Sequence, residues 1–242
     1  MAILFVSDVH LSAVRPEIVS SFTRFLQGHA RGADALYILG DLFDEWLGDD
    51  DNRPPHPQIV DALSGLTASG VPVHVMRGNH DFLLGDRFAF LSGCSLLDDG
   101  VVADLYGTPA LLMHGDSLCT RDTEYQAFRK TSRDPANQQA FLALPLETRA
   151  AQAAEIRGRS AASVRLKTDE IMDVTPGAVV QAMRAHGVTH LIHGHTHRPA
   201  VHDMDLGGIG GKRIVLGDWY EQDSVLCWTP EGFHLGRMDD LR

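Results

Sequence analysis

The strongest constraint on how this chain can fold is a pattern that recurs five times: a short apolar run that ends in Asp, Asn or His. Residues 3–6 lead to Asp8-Val9-His10, and residues 35–39 lead to Gly40-Asp41. Residues 71–76 lead through Arg77 to Gly78-Asn79-His80-Asp81, and residues 110–113 to His114-Gly115-Asp116. Residues 189–192 lead to Gly194-His195-Thr196-His197. Apolar, β-branched runs of this length read as buried strands. The first three are joined by segments with helical spacing. Pro16 opens one of these, with Ile18, Val19, Phe22, Phe25 and Leu26 on one face, and another covers about residues 58–68. Strands separated by a helix pair in parallel through right-handed crossovers. The polar residues that end them then collect along one sheet edge, where α/β sheets bind ligands.

The remaining runs extend this plan. Residues 101–105 and 110–113 flank Tyr106-Gly107-Thr108-Pro109 as a hairpin. Thr175-Pro176 starts a helix that Gly187 stops. Runs near 213–216, 224–228 and 232–235 are expected to be antiparallel strands completing a second sheet. Residues 120–173 differ in character. They are rich in Ala, Gln and Arg, have helical periodicity and lack a strand signal, and from Arg121 to Lys167 nine basic residues face five acidic ones. This segment is expected to be a helical insertion with its own electrostatics.

Composition narrows the function. The net charge of −11 argues against a general nucleic-acid binder, which needs a basic footprint. Cys94, Cys119 and Cys227 are an odd set at unrelated spacings, so neither a disulfide framework nor a thiolate zinc site is expected. The opening apolar run is too short for a secretory leader, and no stretch approaches the ~18 apolar residues of a span, so any membrane contact should be peripheral. Asp49-Asp50-Asp51 reads as a solvated loop without calcium-loop spacing.

Asp8, His10, Asp41, Asn79, His80, His114, His195 and His197 thus converge on one edge. Carboxylate, amide oxygen and imidazole together suit divalent Mn, Fe or Zn. The donors are too many for one ion but suit two ions sharing a carboxylate, with Asp41 the best candidate bridge. Such a pair serves hydrolysis at phosphorus.

In their order along the chain the five blocks resemble the signature of the calcineurin-like metallophosphoesterases. That resemblance implies an α/β fold built as a four-layer α/β/β/α sandwich with a dimetal site at the strand ends. Residues 35–43, 81–85, 125–129, 171–174 and 192–202 further resemble the subfamily of UDP-2,3-diacylglucosamine diphosphatases of lipid A biosynthesis. The resemblance implies one domain over 1–242 with a helical cap inserted at 120–173. It implies hydrolysis of the pyrophosphate of UDP-2,3-diacylglucosamine to UMP and 2,3-diacylglucosamine 1-phosphate, with water attacking the α-phosphorus and two divalent ions, Mn²⁺ foremost, as cofactors. The implied partners are the lipid-linked UDP-sugar and the cytoplasmic face of the bacterial inner membrane, with no nucleic acid and no obligate protein partner.

Carried over residue by residue, Asp8, His10, Asp41 and His197 would hold one metal, and Asp41, Asn79, His114 and His195 the other. His80 takes the catalytic position. Asn79, His80, Asp122, Ser160, Lys167 and His195 match substrate-binding positions, and Trp46, Tyr125 and Arg157 are further candidate contacts. Phe141, Leu142, Leu144 and Leu146 are expected along acyl chains. Asp81 is a candidate to orient His80, and His193 and Asp116 to orient ligand imidazoles. The chain departs from the subfamily pattern at His80, which replaces an Arg, and at Val164, which replaces a polar Asn. The competing readings are a metallophosphodiesterase or phosphatase acting on a soluble nucleotide, and a noncatalytic scaffold of the same fold.

Overall fold

A computed structural model describes residues 2–165 and 167–241, apart from the side chains of Ala161, Val164 and Asp169. The departure at Val164 therefore falls on a side chain outside those described. Eleven strands form two sheets among the described residues. The first has the order β11 (Gly232–Arg237), β10 (Ser224–Thr229), β1 (Ile3–Val6), β2 (Ala35–Leu39), β3 (Val73–Met76) and β4 (Ser95–Leu97). The second has the order β5 (Val101–Leu105), β6 (Thr108–Met113), β7 (His190–His193), β9 (Gly210–Val215) and β8 (Ala200–Asp205). Strands β1 to β4 are mutually parallel, as are β6, β7 and β9.

Strand alternation explains the layering. Leu4, Val6, Leu36 and Ile38 pack against α1 (Pro16–Gln27) and α2 (His56–Thr67), whereas Ile3, Phe5, Ala35 and Leu39 point to the other face. There they meet Ala110, Leu112, Ile192 and Ile214 of the second sheet. Leu111, Met113 and Leu191 turn outward onto Val179 and Met183 of the helix Pro176–Ala185. Three apolar cores between four layers make an α/β/β/α sandwich. All three cysteines are free thiols.

The tail departs from the expected plan. Strand β9 joins the second sheet parallel to β7, but β10 and β11 return to the first sheet, antiparallel to β1 and to each other. The cause is burial on both faces of β10: Val225 packs toward α1, and Leu226 and Trp228 pack into the inter-sheet core. Strand β8 was not evident from its polar sequence, because it is an edge strand with alternate residues exposed. Helix α3 (Asp86–Ser92) is too short for a periodic signal. Its first turn is held by Asp49, which accepts from the N–H groups of Gly85, Arg87 and Phe88 at 2.9, 2.9 and 3.0 Å.

The run Asp49-Asp50-Asp51 is accordingly not a solvated loop. Asp51 is buried and bonds Arg53 Nε at 2.8 Å, and Asp50 accepts from Arg149. Between β6 and the Pro176–Ala185 helix lie α4 (Thr123–Ser132), α5 (Pro135–Leu142), α6 (Leu146–Val164) and α7 (Asp169–Met172). Arg149 of α6 is 1% exposed and reaches both Asp50 and the Leu47 carbonyl, which docks this helix on the loop after β2. Gly48 lets it approach, since a Cβ there would lie 2.5 Å from the Arg149 guanidinium. Loss of charge-assisted bonds of this kind costs about 1–3 kcal/mol. Arg149→Ala is therefore expected to lower unfolding stability by about that much and to speed proteolysis within α4–α6, as read by denaturant titration and limited digestion.

Candidate metal centre

Asp8 and His10 follow β1, Asp41 follows β2, Asn79 and His80 follow β3, His114 follows β6, and His195 and His197 follow β7. The loops are tightly bent. Asp8, His10, Asp41, His195 and His197 all have positive φ, between 48° and 68°. Asp and His tolerate this region better than most residues, and its concentration here marks a site under strain. The neighbouring glycines are required by close approach. A Cβ on Gly78 would fall 2.0 Å from Asp41 Oδ1, and one on Gly194 2.2 Å from Asp8 Oδ2.

Each buried aspartate divides its oxygens between scaffold and site. Asp8 Oδ2 accepts from the His195 N–H at 2.9 Å, while Oδ1 lies 3.2 Å from His197 Nε2. Asp41 Oδ1 accepts from the His80 N–H at 2.8 Å. Its Oδ2 lies 3.6 Å from His10 Nε2 and 3.6 Å from His114 Nε2. The Leu39 carbonyl at 2.9 Å must accept from His114 Nδ1, which leaves Nε2 as a donor of electron pairs. That Nε2 faces Asn79 Oδ1 at 2.9 Å, a contact between two acceptors when the imidazole is neutral.

Donor atoms come within 4.8 Å of one another in three overlapping sets: Asp8, His10 and His197; His10, Asp41 and His80; and Asp8, Asp41 and His114. Asp8 Oδ1 and both ring nitrogens of His10 are buried without a well-formed hydrogen bond, and face only other members of the cluster, His197 Nε2 at 3.2 Å from Asp8 Oδ1 and Asp44 Oδ1 at 3.5 Å from His10 Nδ1. Buried oxygen and nitrogen donors left in this state around two shared carboxylates fit a pair of divalent cations. Asp41, equidistant from His10 and His114, sits where a bridging carboxylate belongs. His195 places its ring 5.1 Å from that of His114.

The charges agree. Burial raises the pKa of Asp8, but His197, His114 and His10 outweigh it and hold the carboxyl well below its usual range. Burial lowers His114, yet Asp41, Asp8 and Asp116 pull it up to about 9. A proton there stands where a cation would relieve the same negative field. His195 is pushed down to about 4 by burial and by the nearby His114.

Three orienting roles differ from expectation. Asp81 does not touch the His80 ring. Its Oδ1 accepts from the Gly78 N–H at 2.7 Å, and its Oδ2 from those of Leu42 and Phe43 at 2.8 and 3.3 Å, so it pins the loops after β2 and β3. His80 is instead set by the Asp44 carbonyl, 2.9 Å from Nδ1. His193 bonds its own neighbour, the Gly194 carbonyl, at 2.8 Å. Asp116 accepts from Tyr125 Oη at 2.6 Å and Arg129 Nε at 2.8 Å, and the Tyr125 ring stacks 6.0 Å from His195. Asp116 therefore acts on His195 through Tyr125.

A cleft of about 540 Å³ runs from Asp44, Asn79 and His80 to the helices α4–α6. Ser160, Lys167, Tyr125 and Arg157 line it, with Phe82, Phe128, Phe141 and Ile156 as its apolar wall. Among the expected acyl-chain residues only Phe141 lines it; Leu142, Leu144 and Leu146 do not. Trp46 borders the cleft but is 4% exposed, packs against Phe43 and Phe88, and donates to Asp49 Oδ1 at 3.1 Å. Asp122 stays outside: it caps α4 through the Tyr125 N–H and holds Lys167 Nζ with both oxygens at 2.8 Å. Arg157 pairs with Glu45. Asp44 and Arg133, whose Nη2 donates to the Gly78 carbonyl at 2.8 Å, also belong to the site. No strand end or spacing singled them out.

Residues 1–199 match the family model of the calcineurin-like phosphoesterases, and the chain belongs to that family. Within it, the chain is 52% identical over 235 residues to the UDP-2,3-diacylglucosamine hydrolase of Klebsiella pneumoniae, covering 97% of this chain and 98% of that one. It is 52% identical over 245 residues to the protein of that name in Stenotrophomonas maltophilia, covering 98% and 99%. A hypothetical protein from Pyrococcus horikoshii shares the fold, with a TM-score of 0.50 and 11% identity over 98% of this chain and 87% of that one.

Two outcomes are expected. Asp41→Asn should lower bound metal at both positions, as counted by elemental analysis after loading with Mn²⁺, because one oxygen faces both His10 and His114. His193, lowered to about 3 chiefly by burial, titrates near 6.5 once unfolded. The unfolded chain then binds the extra proton, so its share of stability is present above about pH 6.5 and lost as pH falls toward 3. Denaturant midpoints should fall less steeply with pH over that window in His193→Gln.

Proposed function

We propose that the protein is a dimetal hydrolase of UDP-2,3-diacylglucosamine, releasing UMP and 2,3-diacylglucosamine 1-phosphate in lipid A biosynthesis. The observation that carries this reading is the continuity of the donor cluster with a half-apolar cleft: Asn79 and His80 stand at one end and Phe128, Phe141 and Ile156 line the wall. A minimal phosphodiesterase acting on a soluble nucleotide has no use for that wall, and a noncatalytic scaffold has no use for the intact donor set. The relatives named for this substrate match over nearly the full chain.

Asp8, His10, Asp41 and His197 would hold one cation, and Asp41, Asn79, His114 and His195 the other, with Mn²⁺ the best-suited ion. Bound there, the pair would supply positive charge to the phosphate oxygens and favour ionisation of water near neutral pH, the nucleophile this reading requires at the α-phosphorus. The residues of the chain do the rest. The Asp44 carbonyl accepts from His80 Nδ1–H and fixes the ring, and the imidazolium form gives its Nε2 proton to the leaving oxygen as the α–β bridge breaks. Lys167 and Arg157, on the cleft wall, meet phosphate and sugar oxygens by sharing donors now given to Asp122 and Glu45. The apolar wall shields the acyl chains from water. Among the described residues no helix is long and apolar enough to cross a membrane. We place the protein at the cytoplasmic face of the inner membrane, held there through its lipid substrate.

Two substitutions test the reading. His80→Ala should cut turnover by about 10²–10⁴-fold with metal content unchanged; loss of metal instead would make His80 a ligand. Lys167→Ala should weaken kcat/KM for the lipid nucleotide by about tenfold or more and leave a small chromogenic phosphodiester nearly untouched. Equal losses on both substrates would remove the cleft from recognition.

A further inference from the structure

A second pocket, of about 370 Å³, opens on the other side of the donor cluster. It shares no lining residue with the α4–α6 cleft. Its rim is the chain that carries a metal-donor residue, Thr196-His197-Arg198-Pro199, and its walls come from β8 and β9 through Ala200, His202, Arg213 and Val215. Its size lies within the range of about 300–1,000 Å³ usual for small-molecule sites.

The lining is cationic, with Arg198 and Arg213 against one carboxylate, Asp173. Arg213 is the informative residue. Its guanidinium is half-buried, and among the described residues no carboxylate lies within ion-pair distance of it; the nearest polar partner is His193 Nε2 at 3.5 Å. A desolvated guanidinium with donors to spare is suited to carbonyl, hydroxyl or phosphate oxygens. Pro199, Ala200 and Val215 add an apolar face for a flat ring. Gln222 fixes the rim by donating to the His197 carbonyl at 3.2 Å.

The substrate proposed above has two unlike halves joined at the diphosphate. With that diphosphate at the donor cluster and the acylated sugar in the α4–α6 cleft, the nucleoside must leave on another side. We propose that the pocket between the His197 loop and β8–β9 is the nucleoside-monophosphate subsite, with Arg213 donating to pyrimidine or ribose oxygens. This rests on the functional reading above.

The test measures binding rather than turnover. UMP and, separately, 2,3-diacylglucosamine 1-phosphate in detergent are titrated calorimetrically into Mn²⁺-loaded wild type, Arg213→Gln and His202→Trp. The second variant fills the pocket from an edge strand and leaves Arg213 in place. Both variants should bind UMP at least tenfold more weakly, bind the lipid product within twofold of wild type, and raise KM for the lipid nucleotide more than they lower kcat. UMP affinity within twofold of wild type in both variants would overturn the assignment, as would equal losses for the two ligands. A wild type that releases UMP from the lipid nucleotide while these variants keep their UMP affinity overturns the pocket alone. A wild type that releases none overturns the functional reading and the pocket with it.

Discussion

The structure depends on two buried carboxylates that each serve backbone and site at once. Asp8 joins the end of β1 to the loop after β7, and so ties the two sheets together at their shared edge. Asp41 joins the end of β2 to the loop after β3. In both, one oxygen accepts a backbone N–H while the other faces imidazole nitrogens. Neither charge would be tolerable at such depth without the histidines around it. The same need that holds the loops together therefore assembles the donor set. The bent backbone and the absence of a Cβ at Gly78 and Gly194 follow from bringing four loops to one point.

Much of this was legible in the chain because its cause is local. Apolar runs ending in Asp, Asn or His mark strand ends, and parallel connection places those ends together. Asp8, His10, Asp41, Asn79, His114 and His197 accordingly come together at one site, with the ring of His195 beside that of His114. What could not be read depends on contacts between segments remote in sequence. Asp49 caps a helix that starts 37 residues later. Asp50 pairs with Arg149 across 99 residues, so an acidic run that looks solvated is a docking platform. Asp81 binds backbone rather than the histidine beside it, and no spacing rule distinguishes the two. The return of β10 to the first sheet follows from burial on both of its faces, which short apolar runs do not specify.

The helical segment over the strand ends is electrostatically, as well as sterically, part of the site. Arg129 and Tyr125 of α4 converge on Asp116, beside the His114 strand end, and Tyr125 stacks on His195. Arg133 holds the Gly78 carbonyl, and Arg157 and Arg149 hold the loop after β2. The basic excess of this segment is thus largely spent on acidic groups of the sandwich. A phosphate entering the cleft would compete for cations that already have partners, which favours exchange over simple attraction.

In the proposed reaction a cluster of oxygen and nitrogen donors directs water to one phosphorus of a lipid-linked diphosphate. This is tested most directly by incubating the Mn²⁺-loaded protein with UDP-2,3-diacylglucosamine in ¹⁸O-enriched water and weighing both products by mass spectrometry. Attack at the α-phosphorus puts one ¹⁸O atom in UMP and none in 2,3-diacylglucosamine 1-phosphate. Label in the lipid phosphate, or release of UDP in place of UMP, would contradict it.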